Sequence, residues 1–142
     1  MVTVQDVEIL LVEDNPEDLE MALRSLQRNN LANRIHVARD GAEALDFLKR
    51  ADKNLPKVVL LDLKLPKVNG IEVLEAIRAD ERTKVLPVVV LTSSREEPDV
   101  RRCYDLGVNS YIVKPVDFDA FVKAVAEVGL YWMLLNQPPE KR

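Results

Sequence analysis

The chain has 142 residues, 47% of them hydrophobic and 31% charged, with a net charge of −4. This is the composition of one globular domain large enough to bury a core, and its acidic balance supplies no basic field to hold nucleic acid through phosphates. No apolar run approaches the roughly 20 residues that span a bilayer, no charged leader precedes an apolar run, and the single Cys103 forms no internal disulfide, so a cytoplasmic protein without membrane or nucleic-acid partners is expected.

Short apolar runs alternate with longer amphipathic stretches. Residues 8–12 read as a strand of Ile, Leu and Val. Asn15-Pro16 opens a helix: Asn15 suits the N-cap, Pro16 the first helical position, and Glu17 and Asp18 the positive end of the dipole. Leu19, Ala22, Leu23 and Leu26 form its apolar stripe, and Asn29-Asn30 ends it. Residues 34–38 form a second strand, with Ile35 and Val37 on one face and His36 directed outward to the surface. Asp40-Gly41 makes a turn and cap before a helix with the stripe Ala44, Leu45, Phe47 and Leu48. Residues 57–61 are a continuous Val/Leu strand of the kind buried on both faces. Asn69-Gly70 leads into a helix carrying Ile71, Val73, Leu74 and Ile77, followed by an extra turn or longer loop over 79–86. A strand over 88–91, a short helix over 98–106 ended by Gly107, and a strand over 110–113 come next. Cys103 falls in that helix as a small packed residue. A last helix over 118–135, capped by Asp117, precedes a tail over 136–142 in which Pro138-Pro139 forbids further helix. The pattern βαβαβαβαβα implies an α/β domain over 1–135: a doubly wound parallel sheet of five strands with five helices on its two faces.

The chemistry-bearing residues follow the strands. In an open α/β sheet the carboxyl ends of the strands form one rim, where ligands bind. Glu13 and Asp14 follow the first strand, Asp62 the third, Thr92 and Ser93 the fourth, and Lys114 the fifth. A carboxylate at position 62 serves as nucleophile, metal ligand or helix cap. If the first and third strands are neighbours, three carboxylates crowd together and repel by roughly several kcal/mol at reduced dielectric. A divalent cation relieves that repulsion, and carboxylates, a backbone carbonyl and waters describe Mg²⁺ ligation. Asp62 could then attack phosphorus and form an acyl phosphate. Lys114, Thr92 and backbone N–H groups would serve the phosphoryl oxygens beside the metal, and the small Ser93 leaves the phosphorus approachable. A cis bond at Pro115 would aim the Lys114 ammonium inward.

Together, Val12-Glu13-Asp14-Asn15, Leu61-Asp62-Leu63-Lys64-Leu65-Pro66 with Gly70, Leu91-Thr92-Ser93 and Lys114-Pro115 resemble the receiver domain of two-component response regulators, over about residues 7–128. The resemblance implies a flavodoxin-like fold of strand order 2-1-3-4-5 and transfer of a phosphoryl group from a sensor histidine kinase to Asp62. It implies Mg²⁺ (or Mn²⁺) held by Glu13, Asp14, Asp62 and the Lys64 carbonyl, with Glu13 standing where many receivers have Asp and reaching the metal through water. It also implies that Tyr111 changes rotamer as Thr92 moves toward the phosphate. The runs Val12–Asp18 and Arg102–Asp117 are similar to the small regulators paired with bacterial phytochromes, which makes a phytochrome kinase the expected partner.

About 27 residues follow Lys114-Pro115, room for one helix and a tail but for no output domain. Signalling by protein–protein contact or onward phosphotransfer is the expectation, with no enzymatic turnover beyond self-phosphorylation and self-dephosphorylation. The run 130–135 is apolar all round, and its Tyr131, Trp132, Leu134 and Leu135 suit a homodimer interface. Lys64 and Ser94 flank the site and can tune water access. Three rivals fit less well. An aspartate-nucleophile hydrolase needs a second Asp where Lys64 stands. A flavin carrier needs a Ser/Thr/Gly-rich loop where Glu13-Asp14-Asn15-Pro16 would repel phosphate. A docking module that never takes phosphate would not need the complete set of site residues.

Overall fold

The computed structural model describes residues 9–28, 35–51, 54–114 and 123. Its elements are β1 (Ile9–Val12), α1 (Pro16–Arg28), β2 (Ile35–Ala38), α2 (Gly41–Ala51), β3 (Val58–Leu61), α3 (Gly70–Ala79), β4 (Val88–Thr92), α4 (Glu97–Asp105) and β5 (Ser110–Val113). All strand pairs are parallel, in the order β2-β1-β3-β4-β5, the flavodoxin-like order that the resemblance implies. Four of the five expected helices fall within the described residues; of the helix expected over 118–135 all but residue 123 lies outside them.

The inner strands β1, β3 and β4 read as apolar runs because both faces of the sheet are covered there. Leu10, Val12, Val59, Leu61, Val88 and Val90 face the side where Ala44, Leu48, Val73, Leu74 and Ile77 of α2 and α3 pack. Ile9, Leu11, Val58, Leu60, Val89 and Leu91 face the opposite side, against Leu19, Ala22 and Leu26 of α1. The period-two alternation of the strands thus divides each Val/Leu run between two cores. Fully burying one such side chain is worth about 1.5–3 kcal/mol. His36 lies on the α2 side and is half-buried, with its ring stacked on Phe47 at a centroid distance of 4.3 Å. It is not the bare surface residue expected from alternation, because the outward face of β2 is also covered by a helix.

Helix starts follow the capping chemistry. Asn15 Oδ1 accepts the Asp18 N–H at 2.9 Å, and Asp40 Oδ1 accepts the Glu43 N–H at 2.7 Å. Asn69 and Glu72 form a complete reciprocal capping box. Helix α4 starts and ends one residue earlier than expected. Pro98 sits in its second position, where a missing N–H costs no helical bond, and the Leu106 N–H closes the last turn on Arg102 and Cys103. Residues 80–86 form a hydrogen-bonded turn, with the Thr83 hydroxyl donating to the Ile77 carbonyl at 2.7 Å. Arg78 ties this turn to the one after α4: its guanidinium donates to the carbonyls of Lys84, Leu86, Leu106 and Gly107 at 2.6–3.0 Å.

Gly70 seats α3 directly on the end of β3. A Cβ there would lie 2.3 Å from the Asp62 carbonyl oxygen and 2.4 Å from Leu63 Cα, so backbone would have to move. Gly70→Ala is expected to cost about 1–3 kcal/mol, the range for overpacking, as a lowered urea midpoint. An unchanged midpoint would mean that the close approach carries no strain.

Candidate functional site

Glu13, Asp62 and Lys114 each stand one step beyond a strand and are fixed by one further bond of the parallel ladder. The Asp62 N–H donates to the Val12 carbonyl at 3.0 Å, the Glu13 N–H to Ala38 at 3.0 Å, and the Lys114 N–H to Thr92 at 2.7 Å. The last of these carries β4 through Thr92, one residue beyond the strand expected over 88–91. Val12 pairs with Leu61, so Glu13 and Asp62 emerge side by side. Glu13, Asp14 and Asp62 each offer a carboxylate oxygen, and the three lie within 4.8 Å of one another. The Lys114 ammonium reaches into the cluster from β5, to Asp18 at 2.8 Å, Glu13 at 2.9 Å and Asp62 at 3.4 Å. Asp14, Asp18, Asp62, Lys64, Ser93 and Lys114 line a cleft of about 590 Å³ above it.

The electrostatics follow from burial. The Glu13 carboxyl is pushed up to about 7, first by burial and further by the Asp62 charge, with the Lys114 hydrogen bond pulling the other way. Burial would lower the Lys114 ammonium, but hydrogen bonds to Asp18 and Glu13 and the charge of Asp62 outweigh it and hold the group above its ordinary value. Hard oxygen donors crowded on one side of a cleft, one of them made reluctant to ionise by burial and a like charge, are a donor set that fits Mg²⁺ or Mn²⁺. The metal reading therefore has Glu13, Asp14 and Asp62 together.

The other expected residues divide. The Lys64 N–H donates to Asp62 Oδ1 at 3.2 Å, and Ser93 is exposed on the cleft. Thr92 is fully buried, and its Oγ1 accepts the Ser94 N–H at 3.2 Å; it stands behind Ser93 rather than on the cleft wall. Tyr111 is half-buried, with its hydroxyl donating to the Ser94 carbonyl at 3.1 Å. Cys103 is the small packed residue expected: it is fully buried, and burial pushes its thiol up to about 11. Pro115 and the interface candidates Tyr131, Trp132, Leu134 and Leu135 lie outside the described residues.

Two sets of contacts escaped the sequence reading, in which Ser94 only flanked the site to tune water access. Asp18, read only as a dipole residue, is the nearest partner of the Lys114 ammonium. Ser94 links the rim to α4: its hydroxyl donates to Asp99 Oδ2 at 2.5 Å and accepts the Glu96 N–H at 3.2 Å, while its own N–H and carbonyl meet Thr92 and Tyr111. A Ser-x-x-x-x-Asp spacing across a loop and a helix start gives little signal by itself.

A five-stranded parallel sheet in this order, with acids after its first and third strands and a lysine after its fifth, is the architecture of a phosphoryl-receiving signalling domain. The chain belongs to the response regulator receiver domain family, whose sequence profile matches residues 9–126. It is similar to the bacteriophytochrome response regulator RtBRR, with 52% identity, a TM-score of 0.78, and 95% of this chain and 85% of that one covered. Among curated proteins it is 45% identical over 134 residues to the probable methanogenesis regulatory protein FilR2 of Methanothrix harundinacea, covering 92% of this chain and 86% of that protein. It is 36% identical over 129 residues to the response regulator Rcp1 of Synechocystis, covering 88% of each, and the Mn²⁺-bound structure of Rcp1 superposes with a TM-score of 0.76. Among the described residues no helix is long and apolar enough to cross a membrane.

The raised Glu13 carboxyl fixes the sign of a pH dependence. Between the ordinary carboxylate value and about 7 the folded protein binds more protons at this position than the unfolded chain. The contribution of Glu13 is thus complete at low pH and lost as the pH rises through 7. In metal-free protein, Glu13→Gln is expected to flatten the fall in urea midpoint between about pH 5 and about pH 8. Parallel profiles for parent and variant would contradict the assignment.

Proposed function

We propose that the protein is a response regulator that accepts a phosphoryl group on Asp62 from a sensor histidine kinase and signals through protein–protein contact or onward phosphotransfer. The observation that carries the reading is the convergence of Glu13, Asp14 and Asp62 on one spot, with the Lys114 ammonium beside them. When bound by Glu13, Asp14, Asp62 and the Lys64 carbonyl, Mg²⁺ (or Mn²⁺) supplies positive charge to the phosphoryl oxygens. The Asp62 carboxylate attacks phosphorus as the phosphorus–nitrogen bond of the kinase phosphohistidine breaks, and the electron pair leaves on the imidazole. Lys114 donates to a phosphoryl oxygen, Thr92 turns its hydroxyl from Ser94 toward another, and the small Ser93 keeps the line of attack open. Thr92 and Tyr111 share Ser94, which supports a role for Tyr111 as a rotamer switch that follows Thr92. The likeness to phytochrome-associated regulators supports a bacteriophytochrome as the kinase.

Residues 1–135 form the receiver unit in this reading and 136–142 its tail. Self-phosphorylation from small donors and self-dephosphorylation are its only reactions. Tyr131, Trp132, Leu134 and Leu135 form the interface of a homodimer, with a cis bond at Pro115 aiming Lys114. The protein works in the cytoplasm.

Incubation with Mg²⁺ and acetyl phosphate is expected to add a single phosphoryl group by intact mass. The adduct should be absent in Asp62→Asn and after chelation. Repeated turnover of donor without a stable adduct, or an adduct that survives in Asp62→Asn, would refute the assignment. In the phosphoryl-loaded state the Tyr111 ring resonances should shift, and unchanged resonances would remove its switch role. Light scattering should report two chains per particle at micromolar concentration, and a monomer in both loaded and unloaded states would dispose of the homodimer.

A further inference from the structure

Three helices open with the same device, an N-cap oxygen that accepts the N–H three residues on: Asn15 with Asp18, Asp40 with Glu43, and Asn69 with Glu72. In α2 and α3 the acid at the third helical position turns back on the chain that enters its helix. Glu43 accepts the Arg39 N–H, and Glu72 accepts the Asn69 N–H. Helix α1 departs from this. The Asn15 N–H is taken by Glu13 Oε2 at 3.2 Å, and the Asp18 carboxylate is released to meet the Lys114 ammonium at 2.8 Å, the shortest of that group's three ion pairs.

An ammonium has three N–H donors, and Glu13, Asp18 and Asp62 match them in number. A phosphoryl oxygen that comes to Lys114 competes with them for those donors. The side chains of Glu13 and Asp62 are 3% and 7% exposed and belong to the proposed metal and phosphoryl centre itself, so neither can swing out into water to make room. The Asp18 side chain is 30% exposed and lies in the first turn of α1, where water and the helix dipole stabilise a free carboxylate. Asp18 is therefore the partner that leaves.

Resting on the phosphoryl reading of the cleft, we infer that Asp18 is a positioning residue that holds the Lys114 ammonium in the empty site and surrenders it to the phosphoryl oxygen when Asp62 is loaded. The hold opposes loading. Until it breaks, Asp18 draws the ammonium away from Asp62, where its distance is longest at 3.4 Å, and adds a negative charge beside an incoming anion. Removing the hold favours the loaded state by the worth of one part-buried ion pair.

The test uses the full chain, saturating Mg²⁺ and beryllofluoride as the phosphoryl probe. Asp18→Asn keeps the size of the side chain and leaves the Asn15 cap in place. It is expected to bind beryllofluoride up to about fivefold more tightly than the parent, the equivalent of about 1 kcal/mol. A second readout is the Nζ resonance of Lys114 by nitrogen NMR. It should shift when the parent is loaded, and in empty Asp18→Asn it should already be displaced from its position in the empty parent. Equal or weaker beryllofluoride binding by the variant overturns the inference, as does a Lys114 resonance identical in the two empty proteins. Failure of the parent itself to bind beryllofluoride overturns both this inference and the phosphoryl reading beneath it. Tight binding by the parent with no gain in Asp18→Asn sinks the role of Asp18 alone.

Discussion

One ammonium shared by three carboxylates makes this rim possible. Glu13 and Asp62 emerge from adjacent strands almost without access to water, where two like charges would each forfeit hydration and repel the other. Lys114 supplies the counter-charge, and the strand order dictates how. β5 is an edge strand, and β4 stands between it and β3. Neighbouring strands lie about 4.8 Å apart, so the residue after β5 needs a long side chain to cross β4. The four-carbon stem of lysine spans that gap while burying its methylenes. A shorter basic group would leave the carboxylates unattended.

The rim is only as accurate as the strands beneath it. Val12, Leu61 and Val90 lie in register across the centre of the sheet, fully buried and packed against helices. Glu13, Asp62 and Lys114 stand just beyond strand ends, each with its N–H bound to the neighbouring strand. Gly70 adds the last constraint by letting the start of α3 touch the backbone of Asp62. Carboxylates held this way cannot relax apart when unpaired, which is why the cluster suits a cation.

Much of this was legible in the chain. Continuous runs such as Val58-Val59-Leu60-Leu61 announce buried parallel strands, and acids that follow such runs must reach the carboxyl edge of the sheet. Asp40, Asn69 and Asn15 announced their helices because capping is local chemistry. The rest depends on contacts that sequence spacing does not encode. The meeting of Asp18 with Lys114 spans 96 positions and requires both the strand order and the diversion of Asn15 toward Glu13. The stacking of His36 on Phe47 requires knowing that α2 lies over the edge strand. The extension of β4 to Thr92 is set by its neighbour and not by its own residues.

The two ends of α4 are secured very differently. Behind its last turn, the Arg78 guanidinium gathers four carbonyls from two loops, and Gly107 completes the reversal with a positive φ of 78°. At its first turn the side-chain ties both run through the Ser94 hydroxyl, which donates to Asp99 and accepts the Glu96 N–H, and the Glu96 side chain provides no cap. A rod pinned at one tip and latched at the other pivots on the pinned tip if the latch lets go. Slight rearrangement of Ser94 at the rim would become its largest excursion at the free tip, with the bolted tip as pivot.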